Sequence, residues 1–304
     1  MQCLVIGYGS VGKKHATILQ QLGCKVSFVT AQQIQDFPCY RTIAAALEKK
    51  IFDYVIIANA TFLHYEALLT LIACDFTGMV LIEKPLFAKI ESIPENKIKK
   101  IVVAYNLRFH SLLLQTKKLI AQEKLITFST YVGQYLPHWR KETDYRTCYS
   151  AKTEQGGGVL RDLSHELDYS VWLCGPCLRV TAMGGRFSAL EINSDDVYSI
   201  LMECVACPLV NIQLNYVDRE TRREIIINTE EKTFFIDLIN GIIKINGKIH
   251  VQCHDTHLQS YLQQHQAILN NDWQHVCHLE EGVYLTKLIA SIEMASAAMM
   301  RVNV

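Results

Sequence analysis

This 304-residue sequence predicts two halves of different architecture: an α/β half on a doubly wound parallel sheet, then an α+β half on an open, mostly antiparallel sheet. Three observations carry that reading. Over the first hundred residues, short β-branched runs alternate with helix-length stretches. From about residue 125, strand-like runs follow one another at turn-length gaps. From His257 to Met300, helical periodicity returns. The boundary is expected between residues 106 and 107, giving segments 1–106 and 107–304, with a closing helix at about 278–297 packing back on the first.

In the first half the strands are read as "CLVIG" (3–7), "KVSFV" (25–29), "YVIIA" (54–58), "MVLIE" (79–83) and "IVVAY" (101–105), with helices at roughly 11–22, 42–50 and 63–74. Runs this continuously apolar are buried on both faces, which in a strand–helix alternation means a parallel sheet. In the second half "LITFSTYVGQY", "RVTAMGGRF", "VYSILMECV", "LVNIQLNYV", "REIIINT", "TFFIDLI" and "GIIKING" leave almost no room for helices, as hairpin-joined strands require.

Composition narrows the function classes. Half of the residues are apolar, and 30 Lys and Arg balance 30 Asp and Glu. Without a basic surplus to neutralise phosphates, nucleic acid is not an expected partner, and polybasic attachment to a membrane is disfavoured for the same reason. No apolar run approaches the ~20 residues of a membrane span. "MQCLVIGYGS" reads as strand and turn rather than as a signal peptide. Eleven cysteines at no regular spacing, several inside apolar runs, are expected to be reduced and mostly buried, as in a cytoplasmic globular protein.

"VIGYGSVGKKH" sets Gly7, Gly9 and Gly12 in G-x-G-x-x-G spacing, with Ser10 and Val11 between, directly after a strand and opening a helix. In that context the first glycine permits a tight turn, the second lets the backbone approach a pyrophosphate, and the third allows close helix–strand contact. The free N–H groups at the helix start then face the phosphates. An NAD-preferring site carries an acid at the end of the second strand, about 20 residues on. Thr30 stands there and Asp36 lies too far along, which tilts the cofactor, NAD or NADP, towards NADP; no Arg follows at once to take a 2′-phosphate.

"ANATFLHYEALL" and "VLIEKPLF", with the Glu83-Lys84-Pro85 tripeptide, together with the glycine loop resemble the Gfo/Idh/MocA oxidoreductase family, which includes glucose-fructose oxidoreductase and inositol dehydrogenase. "GGGVLRDLSHELDYSVWLCG" (156–175) and "HLEEGVYLTKLIASIEMASA" (278–297) extend the resemblance over nearly the whole chain. It implies a Rossmann domain followed by a substrate-binding and oligomerisation domain, and a homodimer or homotetramer. It also implies nucleotide contacts from Asn59, His64, Glu83 and Lys84 beside the glycine loop and Thr30. Two departures stand out: Ala60 replaces the family's usual Pro, and Asp162 and His165 are three residues apart where four is usual.

Moving a hydride from an alcohol carbon needs a base for the hydroxyl proton and a cation for the oxygen. Lys84, held extended before Pro85 at a strand's carboxyl end, is the expected cation; His165 is the expected base, and Asp162 orients it or the substrate. The two catalytic groups, from different segments, are expected to converge on one nicotinamide ring. The helix from Gly158 is read with Leu160, Leu163, Leu167 and Val171 on its core side and Asp162, His165 and Tyr169 opposite. Arg108, Trp139, Arg140, Tyr145, Arg146 and Tyr149 form a basic and aromatic group that suits an acidic, phosphorylated or nucleotide-linked sugar, or else a loop held by its own ion pairs.

"WLCGPCLRV" contains a thioredoxin-like Cys-Gly-Pro-Cys, but Cys174 ends a helix, where the dipole raises rather than lowers a thiol pKa. Cys204 and Cys207 fit a hairpin turn, and the gap between the two Cys-x2-Cys pairs exceeds the usual zinc-ribbon spacing, so no metal is expected. The sequence therefore reads as an NAD(P)-dependent oxidoreductase acting on a CH–OH group of a sugar-like substrate, with a non-catalytic dinucleotide or sugar sensor as the alternative.

Overall fold

The strands Tyr54–Ile57 and Met79–Ile82 are buried from end to end, the mark of a sheet covered on both faces. In the computed structural model, which describes residues 1–139, 143–253, 255 and 258–298, the chain divides into Met1–Asn106 with Leu258–Thr286, and Leu107–His257 with Lys287–Val304. The segment Leu258–Thr286, read from sequence as part of the second half, thus belongs to the first unit.

The first unit contains β1 (Gln2–Ile6), α1 (Ser10–Gln21), β2 (Lys25–Val29), β3 (Cys39–Tyr40), α2 (Ile43–Lys49), β4 (Tyr54–Ile57), α3 (His64–Ala73), β5 (Met79–Ile82) and β6 (Lys100–Val103). β3 joins β2 in parallel after a connection that has no helix of its own.

The second unit runs through α4 (Ser111–Leu119), β7 (Leu125–Gly133), α5 (Val159–Asp162), α6 (His165–Cys174), β8 (Cys177–Gly185), β9 (Val197–Cys204), β10 (Cys207–Asn215), β11 (Arg222–Thr229), β12 (Thr233–Asp237), β13 (Ile242–Ile245) and β14 (Lys248–Gln252). Its strand order is β14-β13-β12-β11-β7-β10-β9-β8, antiparallel except for the β10–β7 pair. Alternation along β9 and β11 buries one side, such as Ile200, Met202, Ile225 and Ile227, and exposes the other.

α7 (Gln259–Leu269), β15 (Cys277–His278) and the start of α8 (Leu279–Ala297) complete the first unit. Its sheet order is β15-β6-β5-β4-β1-β2-β3, parallel apart from β15. Gly282 lets α8 lie against Val103 and Leu86, since a Cβ there would come within 2.5 Å of Val103 Cγ2. No helix among the described residues is long and apolar enough to cross a membrane.

Candidate functional site

The glycine loop separates what the fold requires from what it does not. Gly7 has φ +104°, and a Cβ there would lie 2.7 Å from Ala58 O; a Cβ on Gly12 would lie 2.1 Å from Gly7 O. Both positions therefore need glycine for the chain's own packing. Gly9 has φ −78°, and a Cβ there would meet nothing within 4 Å. The chain itself gives no reason for a glycine at 9, whereas a ligand approaching the backbone would. Gly9 is also the N-cap of α1 and supplies no side-chain bond to its first N–H groups, which suits an anion.

The other expected nucleotide contacts follow strand ends of this sheet: Thr30 after β2, Asn59 after β4, Glu83 and Lys84 after β5. That is the edge where open α/β sheets bind ligands. Asn59 Oδ1 is buried without a hydrogen-bond partner among the described residues, so a polar acceptor is available there. These residues fit a dinucleotide. His64 is buried; its Nδ1 lies 3.2 Å from Pro85 O and Leu86 O, and its Nε2 lies 3.2 Å from Asn59 O. Burial lowers its pKa, and the ring is turned inward between the β4 and β5 loops, where its neutral form can donate to one of these carbonyl groups at a time.

Glu83 is likewise turned inward. Its Oε1 accepts from His15 Nε2 at 2.8 Å and its Oε2 from Lys84 N at 3.1 Å. Burial raises the carboxyl pKa, but the hydrogen bond from His15, with the charge and backbone N–H of Lys84, brings it net below the ordinary value. Behind it, His15 Nδ1 meets His265 Nε2 at 2.7 Å, and Tyr54 OH meets His265 Nδ1 at 3.1 Å. Burial and His15 push His265 well down, and burial pushes Tyr54 well up, so the ring is neutral and the phenol keeps its proton. The proton order follows: Tyr54 donates to His265 Nδ1, His265 donates to His15 Nδ1, and His15 donates to Glu83. Glu83, expected from the resemblance to touch the nucleotide, spends both oxygens fixing the backbone at half-buried Lys84. The Lys84–Pro85 peptide is cis.

In the second unit the stretch expected as one helix from Gly158 breaks at Leu163–Ser164 into α5 and α6. Asp162 ends the first, and His165 begins the second. The face expected to lie opposite the core is buried as well: Asp162 is 6 % exposed, His165 8 % and Tyr169 0 %. Asp162 and Tyr169 are satisfied inside the unit. Asp162 Oδ2 accepts from Tyr216 OH at 2.6 Å, while Tyr169 OH bonds Thr130 and Glu166, the latter paired with Arg223.

Asp195 holds the start of α5: its Oδ2 accepts from Leu160 N at 2.9 Å, and its carbonyl accepts from Val159 N. Gly158, at φ +121°, is required beside it, because a Cβ would lie 2.3 Å from Asp195 Oδ1. Burial pushes the Asp195 carboxyl up to about 6. A carboxyl with a folded pKa above its unfolded one binds more protons when folded, so its stabilising contribution is full at low pH and is lost as pH rises towards 6. Asp195→Asn keeps an acceptor and removes that titration. Melting temperatures of wild type and variant from pH 4 to 8 should show the variant gaining on wild type as pH rises through 4 to 6.

The expected substrate contacts divide. Arg108 is not offered to a ligand: it is 2 % exposed, and Asp168 chelates its Nε and Nη2 at 2.7–3.1 Å. Arg146 is exposed but bound by Asp144 and Glu191, and Tyr145 OH accepts from Glu191 N. Arg140 lies outside the described residues. Trp139 is placed differently. With Gln134, Tyr135, His138, Arg219 and Thr221 it lines a cavity of about 340 Å³ within the second unit. Its Nε1 is buried without a partner among the described residues, and the Arg219 guanidinium stacks 3.5 Å from the Tyr135 ring centre. Arg219 was not singled out from sequence; the signal was present in "YVDRETRR", a basic run directly after a strand.

Both Cys-x2-Cys pairs come together: Cys177 pairs in register with Cys204, and Cys204 with Cys207. The Cys174 thiol hydrogen-bonds Cys207, which together with burial pushes its pKa up, away from nucleophilic chemistry. Among the described residues no three His, Cys, Asp or Glu groups are arranged to hold a metal ion.

Against known proteins, residues 1–104 match the oxidoreductase family model with an NAD-binding Rossmann fold, and residues 113–235 match the GFO/IDH/MocA C-terminal domain. No curated protein matches significantly. Similar solved structures include GenD2 from gentamicin A biosynthesis in complex with NAD (TM-score 0.81, 17 % identity, covering 98 % of this chain and 94 % of that one). Another is the WlbA dehydrogenase from Bordetella pertussis in complex with NADH and UDP-GlcNAcA (0.79, 17 %, 98 % and 96 %). A third is UDP-N-acetylglucosamine 3-dehydrogenase GnnA from Acidithiobacillus ferrooxidans (0.77, 17 %, 98 % and 98 %). At these identities the likeness is one of fold.

Proposed function

This chain belongs to the Gfo/Idh/MocA family of NAD-binding oxidoreductases, and from that membership we propose that it interconverts a hydroxyl and a keto group on an acidic or nucleotide-linked sugar. The observation that carries the dinucleotide part is Gly9, a glycine with no internal cause at the mouth of α1. Bound nicotinamide supplies the hydride chemistry. Lys84 donates a hydrogen bond to the substrate oxygen as negative charge develops there, His165 takes the hydroxyl proton, and Asp162 orients the reacting groups. The hydrogen-bond chain from Tyr54 to Glu83 keeps the Lys84 backbone in one place.

NADP is the proposed dinucleotide, because Thr30 puts no carboxylate where a 2′-phosphate would be repelled. An acidic substrate is supported by Arg219 and His138 in the cavity of the second unit, with Trp139 and Tyr135 as apolar walls for a sugar ring. UDP-sugar and sugar names among the similar structures are compatible with that class. Outward-facing Leu201, Leu209 and Ile226 on the second sheet support a homo-oligomer, and eleven free cysteines support a reducing cytoplasm. The test is an absorbance assay with NADPH or NADH and a panel of keto-sugars. Turnover confined to acidic or nucleotide-linked members is expected; dinucleotide binding with no turnover would replace this reading by the sensor.

A further inference from the structure

We propose that Arg41 is the residue that receives the 2′-phosphate of NADP and gives the site its preference over NAD. This rests on the dinucleotide reading of the glycine loop and adds to it a specificity residue that spacing along the sequence does not reveal. The usual search looks immediately after β2, and there the chain offers Thr30-Ala31-Gln32-Gln33, with no cation.

The fold supplies one from the neighbouring strand. β2 and β3 run parallel with Val29 beside Tyr40, and Thr30 N donates to Tyr40 O at 3.1 Å. The first residue past the end of β3 is therefore Arg41, level with the turn that leaves β2. Its guanidinium Nη1 donates to Ala31 O. Gly7 N, the first glycine of the loop, donates to Val29 O at 3.0 Å, so the β2 end that Arg41 reaches adjoins the glycine loop. Because the 30–38 connection contains no helix, it brings a residue eleven positions further along back to the same strand end.

Arg41 is also well anchored. β3 ends just before it, and Thr42 just after it caps α2 by accepting from Ala45 N at 3.1 Å. The side chain is exposed, and its hydrogen bond to Ala31 O uses one of the donors a guanidinium carries. Thr30 Oγ1 accepts from Gln32 N, which leaves its O–H to donate. A fork of guanidinium donors with a hydroxyl donor beside it, and no carboxylate at position 30, matches a phosphate monoester on a ribose 2′-oxygen. A bare 2′-hydroxyl would gain little from it. Asp36 is the one acid in the connection.

Fluorescence titration of full-length wild type, Arg41→Ala and Thr30→Asp with NADPH and with NADH tests this, with 2′,5′-ADP and 5′-AMP as competitors. Wild type should bind NADPH at least about tenfold more tightly than NADH, and 2′,5′-ADP more tightly than 5′-AMP by a similar factor. Arg41→Ala should weaken NADPH and 2′,5′-ADP by about 10- to 100-fold and shift NADH by less than about threefold, the loss of charge-assisted bonds to one phosphate. Thr30→Asp should move preference towards NADH. A wild type that prefers NADH, or an Arg41→Ala variant that weakens both dinucleotides equally or neither, overturns the proposal while leaving the dinucleotide reading intact. Binding of neither dinucleotide by wild type overturns both together.

Discussion

Alanine at position 84 is expected to lower kcat by about 10²- to 10⁴-fold, the range for removing a group that stabilises developing charge or moves a proton, while dinucleotide affinity stays within about threefold. The physical ground is the shape of the Glu83–Lys84 corner. Glu83 faces into the unit and is held by His15 and by the Lys84 N–H. The lysine backbone is therefore fixed from below, by a carboxylate that cannot turn outward without leaving His15 unpaired. A lysine with its backbone anchored this way loses less freedom in reaching a substrate oxygen than one on an unanchored loop. The measurements are steady-state rates with the best keto-sugar and a separate titration of reduced dinucleotide. A variant with wild-type kcat would make Lys84 a surface cation. A loss of dinucleotide binding equal to the loss of rate would make it a nucleotide contact instead. His165→Gln should show a comparable fall and should also remove the limb of the pH–rate profile that belongs to the base.

The first sheet was legible almost strand by strand because its strands are apolar on both faces, so burial is written into every residue of "YVII" and "MVLI". β3 and β15, two residues each, are too short to carry any period. The glycine loop was legible for the same reason it functions: Gly7 and Gly12 answer to backbone sterics that leave no alternative. Polar residues were harder to place. On the 158–175 stretch periodicity sets Asp162, His165 and Tyr169 opposite the apolar side but does not say what they meet there. Asp162 and Tyr169 find hydroxyl partners on β7 and just beyond β10, more than 35 residues away in sequence. The same limit hid the Glu83–His15–His265–Tyr54 chain, which joins α1, α7, β4 and the end of β5. Amphipathic periodicity reports which residues avoid water. It is silent about polar residues that have found each other.

Arg108 shows how large the consequence of that silence is, since a buried cation and a substrate-reading cation look alike in a sequence. Arg108→Ala is expected to cost about 3–5 kcal/mol of stability, because the deletion strands the Asp168 carboxylate, itself fully buried, without its partner. At about 2–4 °C per kcal/mol for a domain of this size, the melting temperature of the unit should fall by roughly 10 °C. Replacing both partners with apolar residues of similar volume, Arg108→Met with Asp168→Leu, removes the stranded charge along with the pair. Most of the lost stability should return, since the attraction within a buried pair is largely offset by the desolvation of its two ions. Thermal melts of the two variants beside wild type decide between the roles. If Arg108→Ala melts with wild type and only the Michaelis constant for the sugar rises, the guanidinium is a ligand contact and its pairing with Asp168 contributes little. If the single variant is strongly destabilised and the double variant recovers, Arg108 belongs to the framework that holds α6 in place, and recognition of an acidic substrate passes to Arg219.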